Sequence, residues 1–207
     1  MTRSCVGPAT MLGAVLMFVL AGCGSMVPRT SEVVEDVRHL TVHETLAPDS
    51  LRRFALDQPL PALVEGGERS HAILLALPPL ASAHEVVIRS YLEWDSASFH
   101  PARVWNVAYP RVRLLGPDFT MLREIAPGRF AIRNQQLAYH RHAAIVASIY
   151  VAGDGRERFL LVTAASGTDA DSRLIPGRLP DGTIRFMPTG TVDVLLRSLA
   201  GDVVTTY

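Results

Sequence analysis

Cys23 is the residue whose type and position predict specific chemistry. It follows Leu20-Ala21-Gly22, an aliphatic residue and two small residues. Small residues fit the narrow cleavage site of a peptidase, and a thiol is the side chain that can take up a diacylglyceryl group before cleavage. We therefore expect lipid modification at Cys23 and cleavage of the chain just before it.

Residues 1–22 have the layout of an export signal, with Arg3 ahead of an uncharged apolar stretch at residues 11–20. A membrane-spanning helix needs roughly 20 apolar residues, so this shorter stretch predicts a cleaved signal peptide. Its end, Leu20-Ala21-Gly22-Cys23, resembles the lipobox of bacterial lipoproteins, and an ordinary signal peptide with a chance cysteine is the alternative. Gly24 and Ser25 follow, where an aspartate would resemble an inner-membrane retention signal. The expected location is the cell envelope, lipid-anchored at the outer membrane and facing the periplasm.

Composition limits the remaining function classes. The chain has 20 basic and 20 acidic residues, and the arginines are scattered, so the basic stripe of a nucleic-acid-binding protein is missing. Cys5 is the only other cysteine and lies in the signal, so the mature chain is expected to have no intramolecular disulfide. Residues 23–36 are predicted to be the lipidated cysteine and a flexible tether, and residues 37–207 a single β-rich domain.

Short apolar or alternating segments predict strands through most of the mature chain. Gly153-Asp154-Gly155 indicates a hairpin turn, and Pro188-Thr189-Gly190 a bend between a closing pair of strands. Asp49 or Ser50 could cap a short helix that begins at Leu51. The predicted fold is mainly β, an antiparallel β-sandwich of about eight strands with little helix. The predicted strands lie at 71–77, 85–94, 103–109, 111–115, 143–151, 158–164, 183–187 and 191–196.

The order of several segments resembles the maltose operon periplasmic protein family of exported bacterial proteins. Gly67-Glu68-Arg69-Ser70, leading into an apolar strand and Leu77-Pro78, resembles the family's pattern of a glycine, a serine, an apolar strand and Leu-Pro. Tyr109-Pro110-Arg111-Val112-Arg113-Leu114-Leu115, with Asp118-Phe119 after it, resembles the family's aromatic-proline strand. Phe159-Leu160-Leu161-Val162-Thr163 resembles its apolar strand ending in threonine. The resemblance implies an accessory role in maltose or maltodextrin transport and implies no catalytic residue.

The resemblance has two departures. Residues 168–183 do not align with the family, and the charged residues Arg111 and Arg113 alter its central strand.

Several histidine and acidic residues are candidates for metal-binding or catalytic groups. His39 and His43 are four apart, as zinc ligands on a helix can be, but no third ligand is identifiable. His140 and His142 flank Arg141, whose charge disfavours a bound cation. Asp169 and Asp171 lack the full pattern of a calcium loop. We expect neither metal nor cofactor, and we expect no enzyme activity. An envelope hydrolase built from scattered residues, Ser166, Asp169 and His140, is the rival hypothesis.

Aromatic residues concentrate in one third of the chain and provide the candidate ligand-binding side chains. Trp94, Trp105 and Tyr109 could stack on sugar rings while Asn106 bonds to hydroxyl groups, although most aromatic residues of such a domain belong to the core. The expected function is a non-enzymatic binding or accessory role. Its partners would be the membrane, through the lipid, and an oligosaccharide or an envelope protein. A purely structural role in envelope assembly is a further alternative.

Overall fold

Alternation of apolar and polar side chains organises most of the described chain into strands. The computed structural model describes residues 32–57, 59–94, 104–125, 129–137, 140–164 and 183–199. These ranges contain a 3-10 helix at Val37–His39 and fifteen strands. The strands are β1 Val33–Val34, β2 Val42–Thr45, β3 Leu51–Leu56, β4 Ala62–Glu65, β5 Glu68–Ala76, β6 His84–Tyr91, β7 Glu93–Trp94, β8 Val104–Ala108, β9 Pro110–Leu115, β10 Met121–Ile125, β11 Ala131–Leu137, β12 His140–Val151, β13 Phe159–Ala164, β14 Thr183–Met187 and β15 Gly190–Ser198.

The strands form three sheets. A seven-stranded sheet has the order β1-β4-β5-β13-β9-β10, and β2 pairs with the second half of β5. A five-stranded sheet has the order β11-β12-β6-β15-β3, and a three-stranded sheet the order β14-β8-β7. Most pairs are antiparallel, whereas β1 with β4, β2 with β5 and β14 with β8 are parallel.

Apolar side chains from the seven-stranded and five-stranded sheets meet in one core. Ile73 and Leu160 belong to the first sheet, and Ile88, Ile145 and Val194 to the second; none is more than 2% exposed. Burying each such side chain contributes about 1.5–3 kcal/mol. The protein is therefore a mainly-β, sandwich-like domain, as expected from the alternation, with more strands than the predicted eight.

The outer face of the seven-stranded sheet carries a second, smaller apolar cluster. Leu74 and Leu161 point to this face, and Val34 and Leu40 cover them. The chain just before β2 therefore packs onto the sheet and keeps part of its outer surface out of water.

This packing corrects the predicted tether, which was expected to extend to Asp36. Val34 is 5% exposed, and it pairs with Leu63 in the β1–β4 ladder. The side chain of Asp36 accepts a hydrogen bond from the Arg38 backbone N–H at 2.9 Å and caps the 3-10 helix. The folded domain thus begins before residue 37, because Val34 and Leu40 have an apolar surface to cover.

Three local predictions were also wrong. Gly153 and Gly155 lie between β12 and β13, but these strands do not pair, since β12 belongs to the five-stranded sheet and β13 to the seven-stranded one. The expected closing pair is absent too, because β14 pairs with β8, and β15 pairs with β6 and β3. The short helix predicted at Leu51 is strand β3.

Asp49 explains why a strand replaces that helix. Its backbone adopts φ 56°, its N–H donates to the Leu196 carbonyl at 2.7 Å, and its side chain accepts from the Ser198 N–H at 2.9 Å. These bonds hold the chain against β15, so the following residues extend that sheet instead of coiling.

Candidate functional site

Tyr109, one of the three predicted ligand-binding residues, lies in the core. It is 2% exposed, and its ring centroid lies 5.3 Å from that of Phe130 and 5.1 Å from that of Phe186. No face of the ring is open to a sugar. Tyr109 lies between β8 and β9, and its ring is part of the main core instead of the surface that stacking on a sugar requires.

Trp94 and Trp105 are opposite each other in the pairing of β7 with β8. Trp105 is half-buried and packs against the main core, and the side chain of Trp94 lies outside the described part of the structure. The buried side-chain oxygen of Asn106 has no hydrogen-bond partner among the described residues. The structure therefore brings the two tryptophans to one strand pair, and their role in ligand binding stays a prediction.

The burial of Tyr109 leads to a prediction for alkaline pH. Burial raises the pKa of its phenol to about 12, from 10.0. Below pH ~10 the phenol is neutral in both the folded and the unfolded protein. As the pH rises further, Tyr109 of the unfolded chain ionises first, so the contribution of the neutral phenol to folding stability is lost by about pH 12. We expect Tyr109→Phe to show a shallower fall of stability than the wild type over this range, measured by urea unfolding. Tyr150→Phe, at a residue 49% exposed, is the control. Identical pH dependence in Tyr109→Phe and wild type would contradict the assignment.

His39 and His43 do not share a helix face. His39 ends the 3-10 helix, and His43 lies in β2 with its ring edge-on to Phe54, the centroids 5.7 Å apart. Both line an open groove of about 260 Å³ with Val34, Leu40 and other residues near the start of the domain. Within the described ranges, no three His, Cys, Asp or Glu side chains come together as metal ligands would.

Several residues named from the sequence cannot be placed. Cys23, Ser166, Asp169 and Asp171 lie outside the described residues. His140 and His142 are in β12, but their side chains are outside the description. The rival hypothesis of a hydrolase built from Ser166, Asp169 and His140 therefore stays a prediction.

A charged groove lies on the outer face of the five-stranded sheet, and it is the candidate binding site. It has a volume of about 290 Å³. Three arginines, Arg89, Arg129 and Arg197, surround it with a single glutamate, Glu85, which gives the lining a formal excess of two positive charges. We call it the arginine groove. The other lining residues are small or mid-sized, namely Val87, Ala131, Val146, Ala147 and Ser148.

Strand register assembles the arginine groove from distant parts of the chain. Arg89 of β6 is opposite Val146 of β12, and Glu85 of β6 is opposite Arg197 of β15. Glu85 and Arg89 are four residues apart on β6, so both point to the same face. Arg129 lies just before β11, whose first residue Ala131 pairs with Val146.

An ion pair between the exposed side chain of Arg53 and the buried side chain of Asp193 borders this groove on the same sheet. Asp193 is 0% exposed. Its Oδ1 accepts from Arg53 Nε at 2.7 Å, and its Oδ2 accepts from Arg53 Nη2 at 3.0 Å and from the Tyr91 hydroxyl at 2.7 Å. The Arg53 guanidinium also lies 5.2 Å from the centre of the Tyr91 ring.

The pKa values of this cluster follow from these contacts. The hydrogen bond to Asp193 raises the pKa of Arg53 above its ordinary value. Burial, and then the hydrogen bond to Asp193, raise the pKa of Tyr91. Near neutral pH Arg53 therefore stays charged and Tyr91 stays neutral, and their hydrogen bonds to Asp193 hold β3 and β6 against β15.

The arginine groove was not found from the sequence, since its arginines are separated by apolar runs and do not cluster along the chain. The sequence did contain one signal of the groove, the two charged residues Glu85 and Arg89, which are four positions apart in the predicted strand. That spacing places both on one face, but the pairing of β6 with β12 and β15 is needed to bring the other arginines there.

Comparisons with known proteins identify no relative: no protein-family model, no curated protein and no solved structure matches the chain. The resemblance to the maltose operon periplasmic protein family stays a prediction. Within its described ranges the chain has no helix of the length and apolar character that would span a bilayer.

Proposed function

We propose that the chain is a lipid-anchored protein of the cell envelope that binds a ligand or a partner protein without converting it. The observation that carries the anchor is the contiguous Leu20-Ala21-Gly22-Cys23 motif behind an apolar stretch too short to span a bilayer. The folded domain supports it, because strand β1 begins at Val33, soon after the modified cysteine. A fully extended chain of that length spans at most about 35 Å, so the domain would stay close to the membrane that holds the lipid. The proposed location is the periplasmic side of the outer membrane.

The arginine groove supports binding over catalysis. The described residues that line it offer cationic groups and one hydroxyl, that of Ser148, and no histidine is among them. An activated serine needs an adjacent base, so this lining favours recognition over nucleophilic chemistry.

The anchor is tested by replacing Cys23 with alanine in cells fed a fatty-acid analogue. The wild type should be labelled, and Cys23→Ala should be unlabelled and accumulate as precursor, because the thiol that accepts the lipid is gone while the export stretch is intact. A lipidated chain should also resist release by salt, since each buried methylene contributes about 0.8 kcal/mol to membrane binding.

Cys5→Ala is the matched control for this experiment. Cys5 is the only other cysteine and precedes the apolar stretch, so its removal should leave labelling and processing unchanged. Equal labelling of wild type and Cys23→Ala, or no labelling in either, would contradict the assignment of Cys23 as the lipid anchor.

The ligand part of the proposal includes a maltodextrin, on the strength of the family resemblance. Calorimetry of the processed protein with maltodextrins tests it, and the absence of heat at millimolar sugar would remove maltodextrin as the ligand. Activity screens against esters, peptides and glycans test the rival hydrolase, which consistent inactivity would count against. Cross-linking in intact cells, followed by identification of the partner, tests a role in envelope assembly.

A further inference from the structure

We propose that the arginine groove binds the oxyanion, a phosphate or a carboxylate, of a small sugar-sized ligand. This inference rests on the binding role proposed above, but it depends neither on the lipid anchor nor on maltodextrin. The neutral sugar suggested by the family resemblance would have no charge to meet the arginines, so the two ligand hypotheses make different predictions.

The walls of the groove leave room for a ligand between the arginines. Arg197 is opposite Glu85, and Arg89 is four residues further along β6. These positions are about 13 Å apart along the strand, and arginine side chains are long enough to approach a shared ligand from both ends. Val87 lies between them, and Ala131 and Ser148 form the side toward β12. The volume of about 290 Å³ is near the lower end of small-molecule sites.

Arg89 supplies a donor to the arginine groove that the described residues leave unsatisfied. Its Nε is buried and has no hydrogen-bond partner among the described residues. Asp193 is the carboxylate opposite Arg89 in the sheet register, and it accepts its three side-chain hydrogen bonds from Arg53 and Tyr91. A buried donor without an acceptor is unfavourable, and an oxyanion in the groove would satisfy it.

The other two arginines differ in how far the protein neutralises them. Arg197 donates a hydrogen bond from Nη2 to Glu85 Oε2, so Glu85 balances much of its charge. Arg129 is exposed at the opposite side of the groove. The positive charge available to a ligand therefore lies between Arg89 and Arg129, and planar guanidinium groups suit the paired oxygens of phosphate and carboxylate.

The first experiment compares sugars that differ in charge. The protein as purified from cells, in a detergent with a neutral headgroup, is titrated by calorimetry with glucose 6-phosphate, glucuronate and glucose. We expect the charged sugars to bind at least about tenfold more tightly than glucose, since hydrogen bonds to charged groups are the stronger ones. Added salt should weaken that binding. Binding of one charged sugar alone identifies phosphate or carboxylate as the recognised group, and equal affinity for all three sugars would overturn the proposal.

The second experiment removes the arginines one at a time. Arg89→Gln and Arg129→Gln should each weaken binding of the charged sugar about tenfold or more, because each removes a charged donor. Arg156→Gln is the control, since Arg156 lies outside the groove, its side chain is 83% exposed, and it pairs with Asp154 at 3.3 Å. Its affinity should equal that of the wild type.

Arg129→Gln keeps the test decisive if Arg89→Gln unfolds the domain, because an exposed residue can be replaced with little effect on the fold. Thermal melting of each variant establishes that it is folded. Unchanged affinity in the folded Arg129→Gln variant would overturn the proposed site, even where the wild type binds the charged sugars. Loss of lipid labelling at Cys23, by contrast, would leave this result untouched and would bear only on the anchor.

Discussion

Replacing Gly153 with alanine is expected to destabilise the domain by about 3 kcal/mol or more. Gly153 has φ +76°, and a Cβ there would lie 2.1 Å from the backbone oxygen of Ser82. That carbonyl cannot easily retreat, because it also accepts a hydrogen bond from Nδ1 of the buried His84 at 2.9 Å. The substitution thus adds a backbone clash to the cost of a left-handed conformation. Urea unfolding, followed by tryptophan fluorescence, measures the loss.

Gly155 provides a matched control, because it lies in the same connection between β12 and β13. Its φ is +80°, almost the same, but no atom lies within 4 Å of the Cβ that alanine would add. Gly155→Ala should therefore cost only about 1–2 kcal/mol, the cost of the left-handed backbone alone. The difference between the two variants isolates the contact with Ser82, and equal losses would show that the connection does not pack against Ser82 in solution.

The same connection shows which part of the fold was predictable from local sequence. Glycines around Asp154 correctly marked the place where one strand ends and another begins. A turn signal does not specify the partner of either strand. Here the chain passes from the five-stranded to the seven-stranded sheet, and β12 and β13 pair with β6 and β5, strands far away in sequence.

Strands with a regular alternation or a long apolar run were predicted near their observed positions. The peripheral strands were missed because their side chains are largely exposed and carry no clear period; β2 and β3 both show mostly exposed residues. One missed hairpin did have a signal. Gly66 and Gly67 join β4 to β5, both with positive φ, which is the two-residue turn that such a glycine pair favours.

The candidate site was less predictable than the fold. The concentration of aromatic residues led to the prediction of Tyr109 as a ligand-binding residue, but the structure buries it. The arginine groove depends on the lateral order of β12, β6 and β15. A periodic pattern assigns a residue to one face of its own strand. The pattern does not reveal which strands are neighbours in the sheet. Charged residues that share a face but come from separate strands therefore cannot be grouped from the sequence.

Phe130 connects the core to this site, and its removal is the second large effect expected. Phe130 is 0% exposed, contacts the ring of Tyr109, and directly follows Arg129 of the arginine groove. Phe130→Ala should cost about 3–5 kcal/mol, because a buried ring is lost and the surrounding core cannot fully collapse into the space.

Met121→Ala is the control for Phe130→Ala, since Met121 is 58% exposed and should change stability by no more than about 0.5 kcal/mol. Both values come from urea unfolding at neutral pH. A loss near that of Met121→Ala would contradict the buried position of Phe130.

Phe130→Ala also tests how Arg129 is positioned in the arginine groove. Because Phe130 fixes the backbone beside Arg129, a still-folded Phe130→Ala protein should bind glucuronate or glucose 6-phosphate more weakly than the wild type. Unchanged affinity would show that Arg129 is positioned independently of the core.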